Sequence, residues 1–279
     1  MSRACALLRP RTQLLLLAAL ALLIFTAFPF AWMASTALKP SREIFLTPPT
    51  LWPAHITFDN LGRLFVETRF LTYFRNSLTV SFATVALTLI VSVPAAYSLT
   101  RFRFPLREKI AELILFTYMF APIMIIIPFY VLMRFLGLTN THLGLILAYT
   151  AFCLPFTLWL LRSFFQAIPI EIEEAALIDG GRLQALIHVV LPLALPGVVA
   201  TGIFTFILAW NDYIFARVLL SADELKTLPV GIADLYNASV VDWGMIMAAG
   251  LLVIAPVAMV FVFIQKFLVT GWASGGVKG

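Results

Sequence analysis

A polar stretch with a marked pattern of acids and small residues runs from Glu171 to Pro192, where the sequence reads EIEEAALIDGGRLQALIHVVLP. Three glutamates, paired alanines and a Gly-Gly pair separate two long apolar runs there, so this stretch presents a polar surface to water. Pro169 is placed to open a helix, because the missing N–H of proline costs nothing at that position. The acids then fall in the first turns, where the helix dipole favours negative charge. Asp179-Gly180-Gly181 is predicted to end this helix, because glycine is free to take the left-handed conformation there.

A second short helix is predicted from about residue 183, and Pro192 stops it or marks the start of the next apolar run. Its apolar residues recur at helical spacing, which predicts one apolar face: Leu183, Leu186, Ile187 and Val190. A pair of interfacial helices with ordinary caps explains the acids and the glycines. It does not explain why the small Ala175 and Ala176 lie side by side, where they would allow a partner to approach closely. Periodicity alone leaves both interpretations open.

No motif for catalysis or nucleotide binding accompanies this stretch. The sequence contains no G-x-x-x-x-G-K-[ST] phosphate loop, no H-E-x-x-H and no G-x-S-x-G. The three histidines are not paired with a second metal ligand, and Cys5 and Cys153 have neither metal nor disulfide spacing. We therefore expect no catalytic residue, no metal site and no cofactor bound by this chain.

The composition is that of a membrane protein. Hydrophobic residues make up 62% of the chain and charged residues 12%, whereas soluble domains carry about 25% charged residues. The net charge is +5, but the basic residues flank apolar runs, as the positive-inside rule describes, and form no long basic patch. We therefore expect contact with membrane lipid and none with nucleic acid.

We predict an all-α integral membrane protein, a six-span helical bundle with a cytoplasmic helix-turn-helix at 171–192. Each apolar run is long enough to cross a bilayer and must be helical, because backbone groups in lipid need partners within their own segment. The first run is longer than a signal-peptide core, which favours an uncleaved span. The predicted spans are about 13–35, 75–99, 110–134, 143–163, 197–219 and 244–266. Six prolines fall inside them: Pro29, Pro94, Pro122, Pro128, Pro155 and Pro256.

The orientation follows from the loop Arg101–Lys109, where four of nine residues are basic. Such a loop is predicted to lie in the cytoplasm. Six spans then place both termini and the loop 164–196 on the same side. The predicted organisation is a cytoplasmic N-terminus at 1–12, a membrane domain at 13–266 with an external, extended segment at 36–74, and a cytoplasmic tail at 267–279.

The block Glu174-Ala175-Ala176, followed by Gly180 and Leu191-Pro192, resembles the EAA loop in the membrane subunits of binding-protein-dependent ABC importers. In that family the glutamate and the alanines lie on a first short helix, the glycine makes the turn, and the Leu-Pro closes the motif. The interval between Gly180 and Leu191 is one residue shorter here than the usual pattern. The resemblance implies a coupling loop at 164–196 that docks on an ATPase through Glu174, Ala175, Ala176, Asp179, Gly180, Leu191 and Pro192.

Other segments in matching order resemble the smaller, maltose-type permease subunit of carbohydrate ABC importers. They are Leu38-Lys39-Pro40, Arg101–Pro105, Trp210–Tyr213, Thr227–Gly231 and Gly276–Gly279. The resemblance implies a heterodimer with a second, related permease. It also implies two cytoplasmic ABC ATPase subunits that hold ATP and Mg, and an extracytoplasmic solute-binding protein. The location implied is the cytoplasmic (inner) membrane of a prokaryote.

A sugar path needs aromatic faces and groups that pair with hydroxyls. The candidates in the sequence are Asn76, Tyr118, Trp210, Asn211 and Tyr213. In maltose-type systems the defined sugar site belongs largely to the partner subunit. Ionisable residues such as Glu112, Arg134 and Asp212 lie near span ends and form no midplane relay, which disfavours an ion-driven secondary carrier. A permease for another solute, such as glycerol phosphate, and a membrane scaffold stay open as alternatives.

Overall fold

The computed structural model describes the backbone of residues 10–275 and the side chains of residues 12–177 and 180–262. All regular structure within those residues is helical, which confirms the predicted all-α fold. Four helices are long and apolar enough to cross a membrane. They are α1 (Pro10–Ala37), α4 (Phe70–Arg101), α7 (His142–Gln166) and α14 (Trp243–Gly275).

Shorter helices connect them. Two lie before the second long helix: α2 (Ser41–Ile44) and α3 (Asp59–Glu67). Two more lie before the third: α5 (Arg107–Thr117) and α6 (Pro122–Phe135). The remaining helices precede the last long one: α8 (Ile170–Asp179), α9 (Arg182–Ala185), α10 (Leu191–Leu193), α11 (Leu195–Asn211), α12 (Ile214–Leu219) and α13 (Leu228–Tyr236).

The third predicted span, at 110–134, is broken rather than continuous. Helices α5 and α6 meet at an angle of 97°, and the pair together has the length and composition of one span. Ala121 is extended, with φ −60° and ψ 135°, and Pro122 opens α6. The physical reason is that proline disfavours the helical conformation in the residue before it but is well suited to the first position of a helix. The prediction of a continuous helix here is wrong.

The fifth predicted span, at 197–219, is also broken. Helix α11 ends at Asn211, and Asp212 is extended, with φ −70° and ψ 129°. Its carboxylate accepts hydrogen bonds from the backbone N–H groups of Phe215 at 3.0 Å and Ala216 at 3.3 Å. These donors belong to the first turn of α12 and would otherwise lack a partner, so the aspartate favours a new helix start over continuation. A different bent pair, Arg182–Leu193 with Leu195–Asn211, meets at 78° and has the length and composition of one span. With this pair and the pair of α5 and α6 each taken as one span, the described residues supply up to six spans.

The chain divides into two compact units. The first comprises the described residues up to Thr68 together with Asp234–Ala255. In it, the buried Asn60 donates to the carbonyl oxygens of Ala37 at 2.9 Å and Lys39 at 2.8 Å. Glu43 accepts from the Ala54 N–H at 2.9 Å, and this bond lowers the pKa of the Glu43 carboxyl. The segment 36–74, expected to be extended, thus contains two short helices, and buried polar contacts hold it to the end of α1.

The second unit comprises Arg69–Ala233 and the described residues after Pro256. Helices α4, α7 and α11 pack together in it, around two groups of buried apolar side chains. One group surrounds Tyr149 and Phe215, and the other surrounds Phe165 and Val190. The second group lies beneath the loop at 171–192 and fixes where that loop begins and ends.

Close packing of α11 on α7 predicts different effects for two glycines of the same helix. A Cβ on Gly197 would lie 2.4 Å from the Phe164 ring, whereas a Cβ on Gly202 would make an ordinary contact of 3.6 Å with Val85. We expect Gly197→Ala to destabilise the folded protein by about 1–3 kcal/mol through overpacking and Gly202→Ala to leave it unchanged. Thermal unfolding in detergent measures both. Equal melting temperatures for the two variants would contradict the packing described for α11.

Candidate functional site

The loop at 171–192 forms two short helices, as predicted, but its turn differs from the expected one. Pro169 is extended and directly precedes α8, which places Glu171 and Glu173 in the first turn. Gly180 has φ −165° and Gly181 has φ −80°, so neither glycine is left-handed and that prediction is wrong. The Gln184 side chain makes the turn instead, because its amide oxygen accepts from the Gly181 N–H at 3.2 Å.

The turn predicts unequal effects for its two glycines. A Cβ on Gly180 would lie 2.2 Å from the Gln184 amide oxygen, whereas nothing lies within 4 Å of a Cβ on Gly181. A leucine at position 180 must displace Gln184 and break the bond that sets the angle between α8 and α9. For the transport that the resemblance to ABC importer subunits implies, we expect Gly180→Leu to lower uptake about tenfold, corresponding to roughly 1.4 kcal/mol, and Gly181→Leu to retain it. Uptake per assembled complex is the measurement, and equal uptake by both variants would contradict this geometry.

The second short helix is irregular and does not present a single apolar face. Helix α9 continues through a π-helical turn at Leu186–Val190 into α10. Leu186 and Val190 are buried, but Leu183 is 68% exposed and Ile187 is 48% exposed. Only half of the predicted apolar face is therefore buried, because the underlying bundle covers only one side of this helix. The exposed pair leaves an apolar stripe on the outer side of the loop.

The predicted coupling residues are divided between the outer surface and the base of the loop. Glu174, Ala175 and Pro192 are exposed. Ala176, Gly180 and Leu191 are partly buried, and Leu191 packs against the buried group around Phe165. Asp179 ends α8, and its side chain lies outside the described residues. The exposed members leave a glutamate and a small alanine accessible together on α8.

Glu173 is the functional candidate that sequence reasoning missed. It is only 4% exposed, although it lies beside the exposed Glu174. One carboxylate oxygen pairs with Arg101 Nε at 2.6 Å, and the other accepts a hydrogen bond from the Tyr97 hydroxyl. The available signal was the spacing of Tyr97 and Arg101, four residues apart and therefore on one face of α4.

A cavity of about 470 Å³ lies beside this ion pair. It is lined by charged side chains of both signs, including Arg101, Arg103, Arg182, Glu173 and Glu174. The Arg182 guanidinium lies over the Phe102 ring, 4.8 Å from its centre, a cation–π arrangement. The base of the loop thus joins the basic end of α4 to both short helices.

A second cavity, of about 590 Å³, opens at the break between α5 and α6. Two of the predicted path residues, Tyr118 and Asn211, line it together. Asp212, the neighbour of Asn211 in the chain, also lines it. Aromatic rings form much of the wall: Tyr118, Phe120, Phe152, Phe204 and Phe215. Irregular backbone in a membrane protein is tolerated where it lines a cavity, and this break does line one.

The other three predicted path residues lie elsewhere. Trp210 is fully buried and stacks on Phe206, with ring centres 5.6 Å apart. The Asn76 amide donates to the backbone carbonyls of Glu224 at 2.8 Å and Lys226 at 2.9 Å, so it holds the segment before α13. Tyr213 is 39% exposed and does not line the cavity at Tyr118.

Within the described residues, no group of three or more His, Cys, Asp or Glu side chains could hold a metal ion. The two cavities differ in the side chains that line them. One cavity offers paired charges at the base of a surface loop, and the other offers aromatic faces with a few polar groups.

Comparison with known proteins agrees with this geometry. Residues 89–273 match the family described as binding-protein-dependent transport system inner membrane component. The inner membrane ABC transporter permease protein YcjP of Escherichia coli is 37% identical over 260 residues, covering 92% of this chain and 93% of that protein. The sulfoquinovosyl glycerol transport system permease protein SmoH of Agrobacterium fabrum is 38% identical over 264 residues, covering 94% and 93%.

A more distant relative and a solved structure extend the comparison. The trehalose/maltose transport system permease protein MalG of Thermococcus litoralis is 31% identical over 270 residues, covering 95% of this chain and 96% of that protein. A chain of a bacterial ABC transporter involved in the import of alginate is similar in structure, with a TM-score of 0.80 and 28% identity over 93% of this chain and 98% of that chain. The protein therefore belongs to the family of binding-protein-dependent transport system inner membrane components, and it is a permease subunit of an ABC importer.

Proposed function

We propose that this permease carries a sugar or oligosaccharide into the cell and is driven by ATP that separate subunits bind and hydrolyse. The observation that carries the proposal is the similarity, over more than nine-tenths of the chain, to permeases named for transport of sulfoquinovosyl glycerol and of trehalose or maltose. The aromatic cavity at the break between α5 and α6 supports it, because mostly apolar cavities with a few polar groups are typical small-molecule sites.

The charge of the cavity disfavours a phosphorylated solute as the substrate. Among the described residues that line it there is no lysine or arginine, and Asp212 adds an acidic group. A phosphorylated solute such as glycerol phosphate would need basic partners to offset its charge. In our proposal Tyr118 supplies an aromatic face, and Asn211 supplies an amide that pairs with sugar hydroxyls.

The proposed assembly contains a second, related permease, two ATPase subunits that bind ATP and Mg, and an external solute-binding protein. This chain itself binds no nucleotide and catalyses no reaction. The termini, the basic loop at 101–109 and the coupling loop at 164–196 face the cytoplasm, and the segment 36–74 faces outward. Membership of a binding-protein-dependent family supports the ATPase and binding-protein partners.

The proposed mechanism is alternating access. ATP closes the pair of ATPases, and the coupling loop moves with them through the exposed Glu174 and Ala175 on α8. The bundle then changes from inward-open to outward-open and receives sugar from the binding protein, and ATP hydrolysis resets it. Substrate sites of transporters are typically formed where membrane helices are discontinuous. The break between α5 and α6 is a discontinuity of that kind.

Purification of the tagged chain from its native membrane in mild detergent tests this proposal. We expect a second permease and an ATPase to purify with it, and ATP hydrolysis to rise when one sugar-loaded binding protein from a panel is added. The control is the same complex with an ATPase subunit inactivated in its phosphate loop, which should hydrolyse nothing. A chain that purifies alone and supports no hydrolysis after reconstitution with its neighbouring gene products would contradict the proposal.

A further inference from the structure

The base of the coupling loop contains a buried ion pair that the proposed docking on an ATPase does not require. The Glu173 side chain is 5% exposed and the Arg101 side chain is 10% exposed. Removing such charges from water is costly unless they are paired and hydrogen-bonded. Both carboxylate oxygens of Glu173 are engaged, one by Arg101 and the other by Tyr97. A surface loop would not need this arrangement merely to stay soluble.

The ion pair joins the loop to one particular membrane helix. Arg101 is the last residue of α4, and Tyr97 lies one turn before it. Glu173 lies in the first turn of α8. Arg101 also donates from Nη2 to the carbonyl oxygen of Ile168 at 3.0 Å, just before α8 begins. The end of α4 therefore holds both the start of α8 and the short link that precedes it.

Aromatic packing makes this junction part of the bundle interior. The Tyr97 ring lies edge-on to Phe165, near the end of α7, with ring centres 6.5 Å apart. It also lies edge-on to Phe102 at 5.9 Å. Tyr97 and Phe165 belong to the same buried apolar group as Val190 of the π-helical turn. The start of α8 thus contacts α4 through Tyr97, which itself packs against Phe165 of α7.

We propose that Glu173 is a positioning residue that fixes α8 to the end of α4, so that the ATPase moves both as one body. The inference rests on the proposed function of the coupling loop and deepens it. The adjacent glutamates have separate tasks: Glu174 faces outward to the ATPase, and Glu173 faces inward to Arg101 and Tyr97. Without this junction, the link at 167–169 would bend, and movement of α8 would not reach α4.

The experiment compares variants of the complete complex in liposomes by the amount of sugar transported per ATP hydrolysed. We expect Glu173→Ala to retain the ATPase subunits and ATP hydrolysis but to transport about tenfold less sugar per ATP, within the usual range of coupling energies. The exchanged pair Arg101→Glu with Glu173→Arg should recover part of the loss, which a merely structural defect elsewhere would not do.

The matched control is Glu108→Ala. Glu108 pairs with Arg107 at 2.7 Å and also with Arg162, so it joins α5 to α7 without contacting the coupling loop. Its variant should keep the normal ratio of transport to hydrolysis. If Glu173→Ala does not assemble, Glu173→Gln decides the question, because it keeps the shape of the side chain and loses the charge that holds Arg101.

A normal ratio for an assembled Glu173 variant would overturn the inference while leaving the proposed function intact. Failure of the proposed function would appear differently, because the unaltered complex itself would then show no ATP-dependent sugar uptake. A fall in the ratio for Glu108→Ala as large as that for Glu173→Ala would also overturn the inference, since it would show that any broken ion pair in this region has the same effect.

Discussion

Replacing Glu174 with lysine is expected to abolish ATP-driven uptake while leaving the protein folded and inserted in the membrane. Glu174 is exposed, and the ion pair and hydrogen bond that hold the end of α4 belong to Glu173. Reversal of a charge at an interface costs several kcal/mol, so we expect uptake to fall about a hundredfold or more. Transport of labelled sugar into liposomes, normalised to the amount of complex, is the measurement.

The control for this prediction is Glu112→Lys, which reverses another exposed acid, on α5, outside the coupling loop. Its uptake should stay near that of the unaltered protein. Co-purification of the ATPase separates the two ways in which Glu174→Lys can act, since a docking defect removes the ATPase and an uncoupling defect does not. Normal uptake by an assembled Glu174→Lys complex would show that the exposed face of α8 is not where the ATPase acts.

Asp212→Ala is the second substitution with a large expected effect. One carboxylate oxygen of Asp212 accepts from the hydroxyl of Tyr149 at 2.9 Å and from the N–H groups of Phe215 and Ala216. Tyr149 is fully buried, so alanine leaves its hydroxyl without that partner, and each such loss costs about 1–3 kcal/mol. We expect a markedly lower melting temperature in detergent and loss of most uptake.

Asp212→Asn distinguishes a structural aspartate from an ion relay. Asparagine keeps an oxygen that accepts the same hydrogen bonds, so we expect nearly normal stability and uptake. An ion-driven carrier needs an ionisable group in its membrane pathway and would lose uptake with asparagine at this position. Stable Asp212→Asn protein without uptake would therefore revive the secondary-carrier alternative.

The existence of the spans and of the coupling loop could be predicted because each depends on local sequence. Long apolar runs must form helices in lipid, and Pro169, the acids and the glycines mark the ends of short helices within a few residues. The junction with α4 could not be predicted in the same way. Glu173 and Glu174 are chemically identical neighbours, and only the position of Arg101, far away in the chain, decides which one is buried.

The helix breaks show a different limit of sequence reasoning. Pro94 and Pro155 lie inside continuous helices, whereas Pro122 opens a new one. The same residue type therefore has two outcomes, and the packing of the surrounding helices selects between them. Asn76 illustrates the same limit for polar residues. Its amide side chain suits a sugar path, but in the structure it donates hydrogen bonds to two backbone carbonyls.

Uptake of labelled sugar by liposomes that contain the complete complex and the sugar-loaded binding protein tests most directly whether ATP drives this permease. The assay compares ATP with no ATP inside the liposomes, each with and without an imposed proton or sodium gradient. We predict uptake that requires ATP and persists when both gradients are collapsed. Uptake that follows an ion gradient in the absence of ATP would contradict an ATP-driven importer.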